Sequence, residues 1–279
     1  MQGRGRCLAH RSSDHADDVI PVISWDYGFL SSKDDEAETE EDVSGQSPVL
    51  AARDRMSQSV FWYVVPHKGT DFDTFGALVD IIVKDLDSLG YKKACFRSDG
   101  EGSLLAVLDA IKTRWSAEVI PEVTPEGDSA SNGSAECGIN ILKGHTRTLK
   151  YDLEAKLDLQ IDDTHNLLTW LVSYAALSYN LFHVGPDGRT PRERVLGRKV
   201  GPPIARFGEA IWYRPLLSQG RPPALQERFQ PGFFINYISG SNQFVVLTQE
   251  GAVRCRSVRR RPVVDQWDAR LLECQASVL

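Results

Sequence analysis

Three carboxylates stand where chemistry is possible: Asp26 in VISWDYGF, Asp99 in FRSDGE and Glu136 in NGSAEC. Asp26 interrupts a run of β-branched and aromatic residues. A buried carboxylate is costly unless it is paired or holds a metal, although a hairpin strand can also carry a solvent-facing acid. Asp99 precedes Gly100, a common turn pair first of all, although ligands in mixed α/β sheets also sit beyond strand ends. Glu136 opens a helical pattern directly after a Gly/Ser loop. With 100° per residue, Glu136, Asn140, Lys143, Arg147 and Lys150 fall within about 40° of one line, and Ile139, Leu142, Thr146, Leu149 and Leu153 form a second stripe about 100° away. A solvated face would mix its signs at i,i+4; an acid followed by an amide and three cations suits a metal that meets a phosphate backbone. Carboxylates from a central strand, a strand end and a helix supply the hard oxygen ligands that Mg²⁺ or Mn²⁺ takes. Two such ions about 3.5–4 Å apart clamp the attacking and leaving oxygens of an in-line phosphoryl displacement, so no His or Cys nucleophile is required.

The elements that must position these acids can be read from the hydrophobic pattern. Ile20–Leu30, Pro48–Arg55 and Ser59–Pro66 predict three strands in succession, the simplest arrangement being antiparallel. Phe72–Leu89 carries apolar residues at helical spacing and stops at Gly90. Lys93–Arg97 predicts a strand, Ser103–Trp115 a helix and Ala117–Ile120 a fifth strand, with Pro121–Gly133 as loop. Long helices are expected from about Ser134 to Leu157 and from about Thr164 to Phe182. The order implies an α/β fold with a mixed five-stranded sheet and helices on both faces. From Gly208 onward the segments GEAIWYRP, GFFINYI, QFVVLTQ and AVRCRSV, separated by turn residues, predict a small all-β module closed like a barrel.

The net charge of −6 seems to argue against a polyanionic partner, but its distribution reverses that impression. Residues 31 to 42 hold seven acids and one lysine, which alone account for the −6. From Val200 to the end there are ten arginines and six acids, a local +4. Arg254, Arg256, Arg259, Arg260 and Arg261 concentrate that charge. They could be a solvated strand edge, or sequence-independent contacts to phosphates. No apolar run approaches the roughly 20 residues of a membrane span, and the polar start lacks the core of a signal peptide. The chain is therefore expected in the nucleus or cytoplasm, not secreted. The five cysteines, Cys7, Cys95, Cys137, Cys255 and Cys274, form no C-x-x-C pair, as expected of free thiols. Cys7 with His10 and His15 falls short of a zinc site.

Taken together, W-D-Y-G-F-L, R-S-D-G-E and T-P-E-G-D-S-A-S-N-G-S-A-E resemble the catalytic core of retroviral and copia-type retrotransposon integrases. Asp99 and Glu136 have 36 residues between them, one more than the usual family spacing. The resemblance continues through Thr190–Lys199 into F-G-E-A-I-W-Y and spans roughly residues 20 to 262. It implies a ribonuclease-H-like fold, with Asp26, Asp99 and Glu136 binding the catalytic Mg²⁺ or Mn²⁺. It also implies a mobile loop at Thr124–Gly133 and approach to DNA by Lys143, Arg147 and Lys150; Asn132, Asn140, Arg254, Arg256, Arg259, Arg260 and Arg261 join them as candidate DNA contacts. The chain then divides into a polar tail (1–18), a core (19–198) with a disordered acidic insertion (31–47), a β-barrel module (204–265) and a C-terminal tail (266–279). The implied function is DNA 3′-end processing and strand transfer on element ends and target DNA, by a self-associating, metal-dependent enzyme. The family's N-terminal zinc domain is not evident here. Two alternatives follow, a nucleic-acid-binding relic of a retrotransposon polyprotein without activity, and a ribonuclease-H-like nuclease.

Overall fold

A computed structural model describes residues 20–30, 48–124, 129–162, 165–199, 201, 204–216, 225, 227–238 and 240–271. The expected N-terminal tail, the acidic insertion at 31–47, the crown of the loop at 125–128 and the tail beyond residue 271 lie outside them.

The first sheet contains β1 (Val22–Gly28), β2 (Val49–Asp54), β3 (Val60–Val64), β4 (Lys93–Ser98) and β5 (Glu118–Val123), in the order β3-β2-β1-β4-β5. β1 pairs with β2, and β2 with β3, antiparallel; β1 pairs with β4, and β4 with β5, parallel. Two reversals bring β3 back to the direction of β1, so four strands point one way and only β2 opposes them. Period-two alternation gives the sheet two apolar faces. Ile23, Trp25 and Tyr27 of β1 pack with Val79 and Ile82 of α1 (Phe75–Asp87) and Leu104 and Ile111 of α2 (Gly102–Arg114). On the opposite face Val49, Ala51 and Trp62 pack with Leu142 of α3 (Ser129–Leu157) and Val172 and Tyr179 of α4 (Leu167–Phe182). This is the ribonuclease-H-like architecture, a mixed five-stranded sheet between helical layers.

Three departures from the sequence expectation have a clear physical cause. β5 runs through Pro121 to Val123. Glu118 and Thr124 donate to Lys92 and Ser98 of the β4 side, so alternation points residue 121's nitrogen away from β4, where a missing N–H is tolerated on an edge strand. α3 begins at Ser129, taking Asn132 and Gly133 into the helix. The Pro186–Pro191 break leads into a short helix, α5 (Pro191–Leu196). There the Thr190 side chain accepts from Glu193 N–H while the Glu193 carboxylate accepts from Thr190 N–H, a reciprocal cap that outweighs the breaker residues. At the other margin of the sheet, the Asn180 side chain accepts from Val60 N (2.9 Å) and donates to Val60 O (2.8 Å), standing in for a neighbouring strand.

The second sheet is wholly antiparallel: β6 (Ala210–Arg214), β7 (Gln230–Ile238), β8 (Gln243–Thr248), β9 (Gly251–Cys255) and β10 (Ser257–Arg260). Only Arg256 separates β9, which pairs with β8, from β10, which pairs with β6. One bent strand thus closes the sheet on itself, giving the barrel-like module that the short strands implied. Its buried residues Phe234, Val246 and Leu247, from both faces of the sheet, share a single apolar cluster with Leu153 and Leu157 of α3 and Leu171 of α4.

Candidate active site

The loops leaving β1, β3, β4 and the N-terminal half of α3 meet at one end of the sheet because those strands share a direction. Ligand sites in α/β sheets form there, beyond the carboxyl ends of the strands. Asp26 lies two residues from the end of β1 and is half-buried. Its neighbours along the strand, Ser24 and Gly28, point with it toward the α3 side. Burial pushes its carboxyl up to about 6, and the charge of Asp99 adds to that; a hydrogen bond from Tyr27 N (2.7 Å) opposes it, Glu101 adds and Lys68 opposes. Asp99, just past β4, accepts from Glu101 N at 3.3 Å, the turn that R-S-D-G-E suggested. Asp99 thus makes a turn, and the turn holds it within electrostatic reach of Asp26.

Glu136 is exposed on α3. One turn later Ile139 lies against the end of β1, so closely that a Cβ on Gly28 would sit 2.9 Å from Ile139 Cγ2. The helix therefore crosses the strand end that carries Asp26, with Glu136 on the preceding turn. Among the described residues no three Asp, Glu, His or Cys side chains converge as metal ligands. Asp26 and Asp99 are brought together; Glu136 is not brought to them as a third ligand.

The two stripes of α3 separate as their spacing implies. Leu142, Thr146 and Leu153 are buried, whereas Asn140 and Arg147 are exposed and Lys143 and Lys150 are half-buried. Lys150 Nζ lies 3.8 Å from Glu154 Oε1, one turn on. The side chain of Asn132 lies outside the described residues.

In the barrel, strand alternation splits the arginine run. Arg254, Arg256 and Arg259 are exposed. Arg259 stacks over Phe229 (4.6 Å) and Arg261 over Trp212 (4.5 Å), on the outer side. Arg260 is exposed as well, but its guanidinium reaches Glu209, a fully buried carboxylate, and donates to it from Nε (2.6 Å) and Nη2 (3.0 Å). Its guanidinium holds a buried charge, a structural task that consecutive arginines in a sequence do not reveal.

Two charged residues of the site escape sequence reasoning, Lys68 and Glu101. Lys68, in the loop after β3, lies 3.0 Å from Glu101 Oε2 and over the rings of Tyr27 (5.4 Å) and Phe29 (5.6 Å). The signal that could have found them is topological: once β3 is known to run with β1, the P-H-K-G-T loop must emerge beside Asp26.

No family model matches the chain, and no curated sequence is similar to it. Among solved structures, it is similar to the simian T-cell lymphotropic virus intasome in complex with PP2A regulatory subunit B56 gamma (14% identity, TM-score 0.44, covering 86% of this chain and 78% of that one). It is likewise similar to the catalytic core domain of BIV integrase (15% identity, TM-score 0.42, 63% and 93%). A third is the HTLV-2 integrase catalytic core domain in complex with magnesium, in a trimeric form (12% identity, TM-score 0.41, 62% and 93%). Among the described residues no helix is long and apolar enough to cross a membrane.

Proposed function

We propose that the chain is an integrase-type polynucleotidyl transferase acting on DNA. One observation carries this reading: Asp26 and Asp99 leave adjacent parallel strands at the same end, close enough for the charge of one to oppose ionisation of the other. Two acids held against their mutual repulsion fit a divalent cation, which would replace that repulsion with attraction to both. Asp26 and Asp99 would hold Mg²⁺ or Mn²⁺, and Glu136, exposed on the turn of α3 before the helix crosses β1, would complete the set by moving toward them. When bound, the metal stabilises the charge developing on the transferred phosphoryl group. The chain's own residues do the rest. Tyr27 N–H fixes the Asp26 carboxylate, the Asp99 turn fixes the second acid, and Asn140, Lys143, Arg147 and Lys150 carry the DNA backbone along α3. Arg254, Arg256, Arg259 and Arg261 add phosphate contacts from the barrel, and Asn132 adds one from the start of α3.

The test is joining of duplex 3′ ends to a second DNA by the purified chain with Mn²⁺ or Mg²⁺. Asp99→Asn is expected to lower the rate by about a hundredfold or more, the scale of losing one electrostatic stabiliser of a transition state. Joining that is unchanged by Asp99→Asn would sink the assignment. A second reading, a DNA-binding relic without chemistry, draws on the exposed Glu136 and the lack of a three-ligand group among the described residues. It predicts salt-dependent DNA affinity but no heat on calorimetric titration with Mn²⁺.

A further inference from the structure

Any polyanion approaching this site meets three carboxylates, Asp26, Asp99 and Glu101, and the cation Lys68, whose charge acts on Asp26. We propose that Lys68 binds a nucleic-acid backbone phosphate beside Asp26, and that Glu101 occupies its ammonium until the phosphate arrives. The proposal rests on the polynucleotide reading above, but on binding rather than on chemistry.

Lys68 is not a free-swinging surface lysine. Tyr27 and Phe29, which flank it at 5.4 and 5.6 Å, belong to the same stretch as Asp26, so the strand that places the carboxylate also orients the ammonium. Both distances are within the roughly 6 Å over which an aromatic face attracts a cation. The next residue, Gly69, donates from its backbone to Tyr27 Oη at 3.2 Å and has a φ of +96°, a left-handed conformation that glycine adopts without strain. The loop is therefore turned back and pinned one residue beyond the lysine.

Glu101 is the exchangeable partner. Its carboxylate meets Lys68 at 3.0 Å, and the two side chains, lysine first, keep 36% and 31% of their exposure. An ion pair this open contributes about 0–1 kcal/mol, so a phosphodiester can displace it at little cost. The aromatic rings stay in place when Glu101 lets go, and the ammonium keeps its position while changing its anion. A plain structural reading exists as well: the pair simply ties the loop after β3 to the start of α2.

The two readings separate in DNA-binding titrations of the full chain with a labelled duplex, in chelator and over a range of salt. Lys68→Ala is expected to weaken binding about five- to tenfold at ~0.1 M salt and to reduce the slope of log affinity against log salt by about one unit, whereas Lys68→Arg keeps both. Glu101→Gln is expected to tighten binding severalfold, a gain that misfolding cannot produce. That gain should vanish in Lys68→Ala/Glu101→Gln, because it works through the released lysine. An unchanged salt slope in Lys68→Ala overturns the proposal. So does a Glu101→Gln gain that survives without Lys68, which would be a general field effect. If the unaltered chain binds no DNA at all, the polynucleotide reading falls and takes this proposal with it. If DNA binds but is never joined, Lys68 is still judged on its own slope.

Discussion

Asp26 costs the fold stability in the very position that suits it to a metal. Its carboxyl titrates at about 6 in the folded chain against an ordinary value of 3.8. Below both values the acid is protonated in the folded and unfolded chains alike, and the cost is absent. Between them the folded chain binds more protons, so stability falls as pH rises, and above about 6 the full cost remains. Asp26→Asn keeps an oxygen for Tyr27 N–H and carries no charge against Asp99. It is expected to stabilise the metal-free chain by about 1 kcal/mol at pH 7, the shift being discounted for the residual solvent around a half-buried group. The gain should fade to nothing near pH 3. Urea titrations at the two pH values check this; a gain of equal size at both would show that the carboxylate's charge is not its cause.

At the scale of elements, the crossing of β1 and α3 depends on Gly28, where any side chain would press into Ile139. Gly28→Ala is expected to lose about 1–3 kcal/mol by overpacking, and to lower DNA joining by shifting the turn that bears Glu136. Gly144, on the same helix, is the opposite case, since a methyl group there would meet nothing within 4 Å. Gly144→Ala should therefore gain about 1 kcal/mol, readable as a higher midpoint in urea. A loss at Gly144 would mean that the helix is packed on that side after all. These elements also mark what a sequence displays and what it withholds. The stripes of α3 and the alternation of β1 are legible because each is periodic within one element. Asp26 and Asp99 are legible as candidates because an acid in an apolar strand and an Asp-Gly after one are local anomalies. Lys68 and Glu101 are not legible, since their meeting depends on β3 returning to the direction of β1 through two antiparallel pairings. The reach of β5 through Pro121 is hidden for a related reason: proline is tolerated there only because that strand lies at the sheet's margin.

At the scale of the molecule, the barrel is joined to the helices through one apolar cluster, and the Glu209–Arg260 pair stabilises the strand that closes it. Arg260→Ala would leave Glu209 buried without its counter-charge and is expected to destabilise the chain by about 3 kcal/mol. Arg259→Ala, one residue away, removes only an outer stacking contact and should cost about 1 kcal/mol or less. Denaturation midpoints of the two variants compare them; equal losses would contradict the division of the arginine run. The margins of the five-stranded sheet have a further consequence. On β3 the backbone of Val60 is already satisfied by Asn180, and on β5 the outward nitrogen of residue 121 belongs to a proline. An incoming strand, whether from a peptide or a second copy, is refused a rung on either side. Recruitment of another chain by β-augmentation at those rungs is thereby disfavoured.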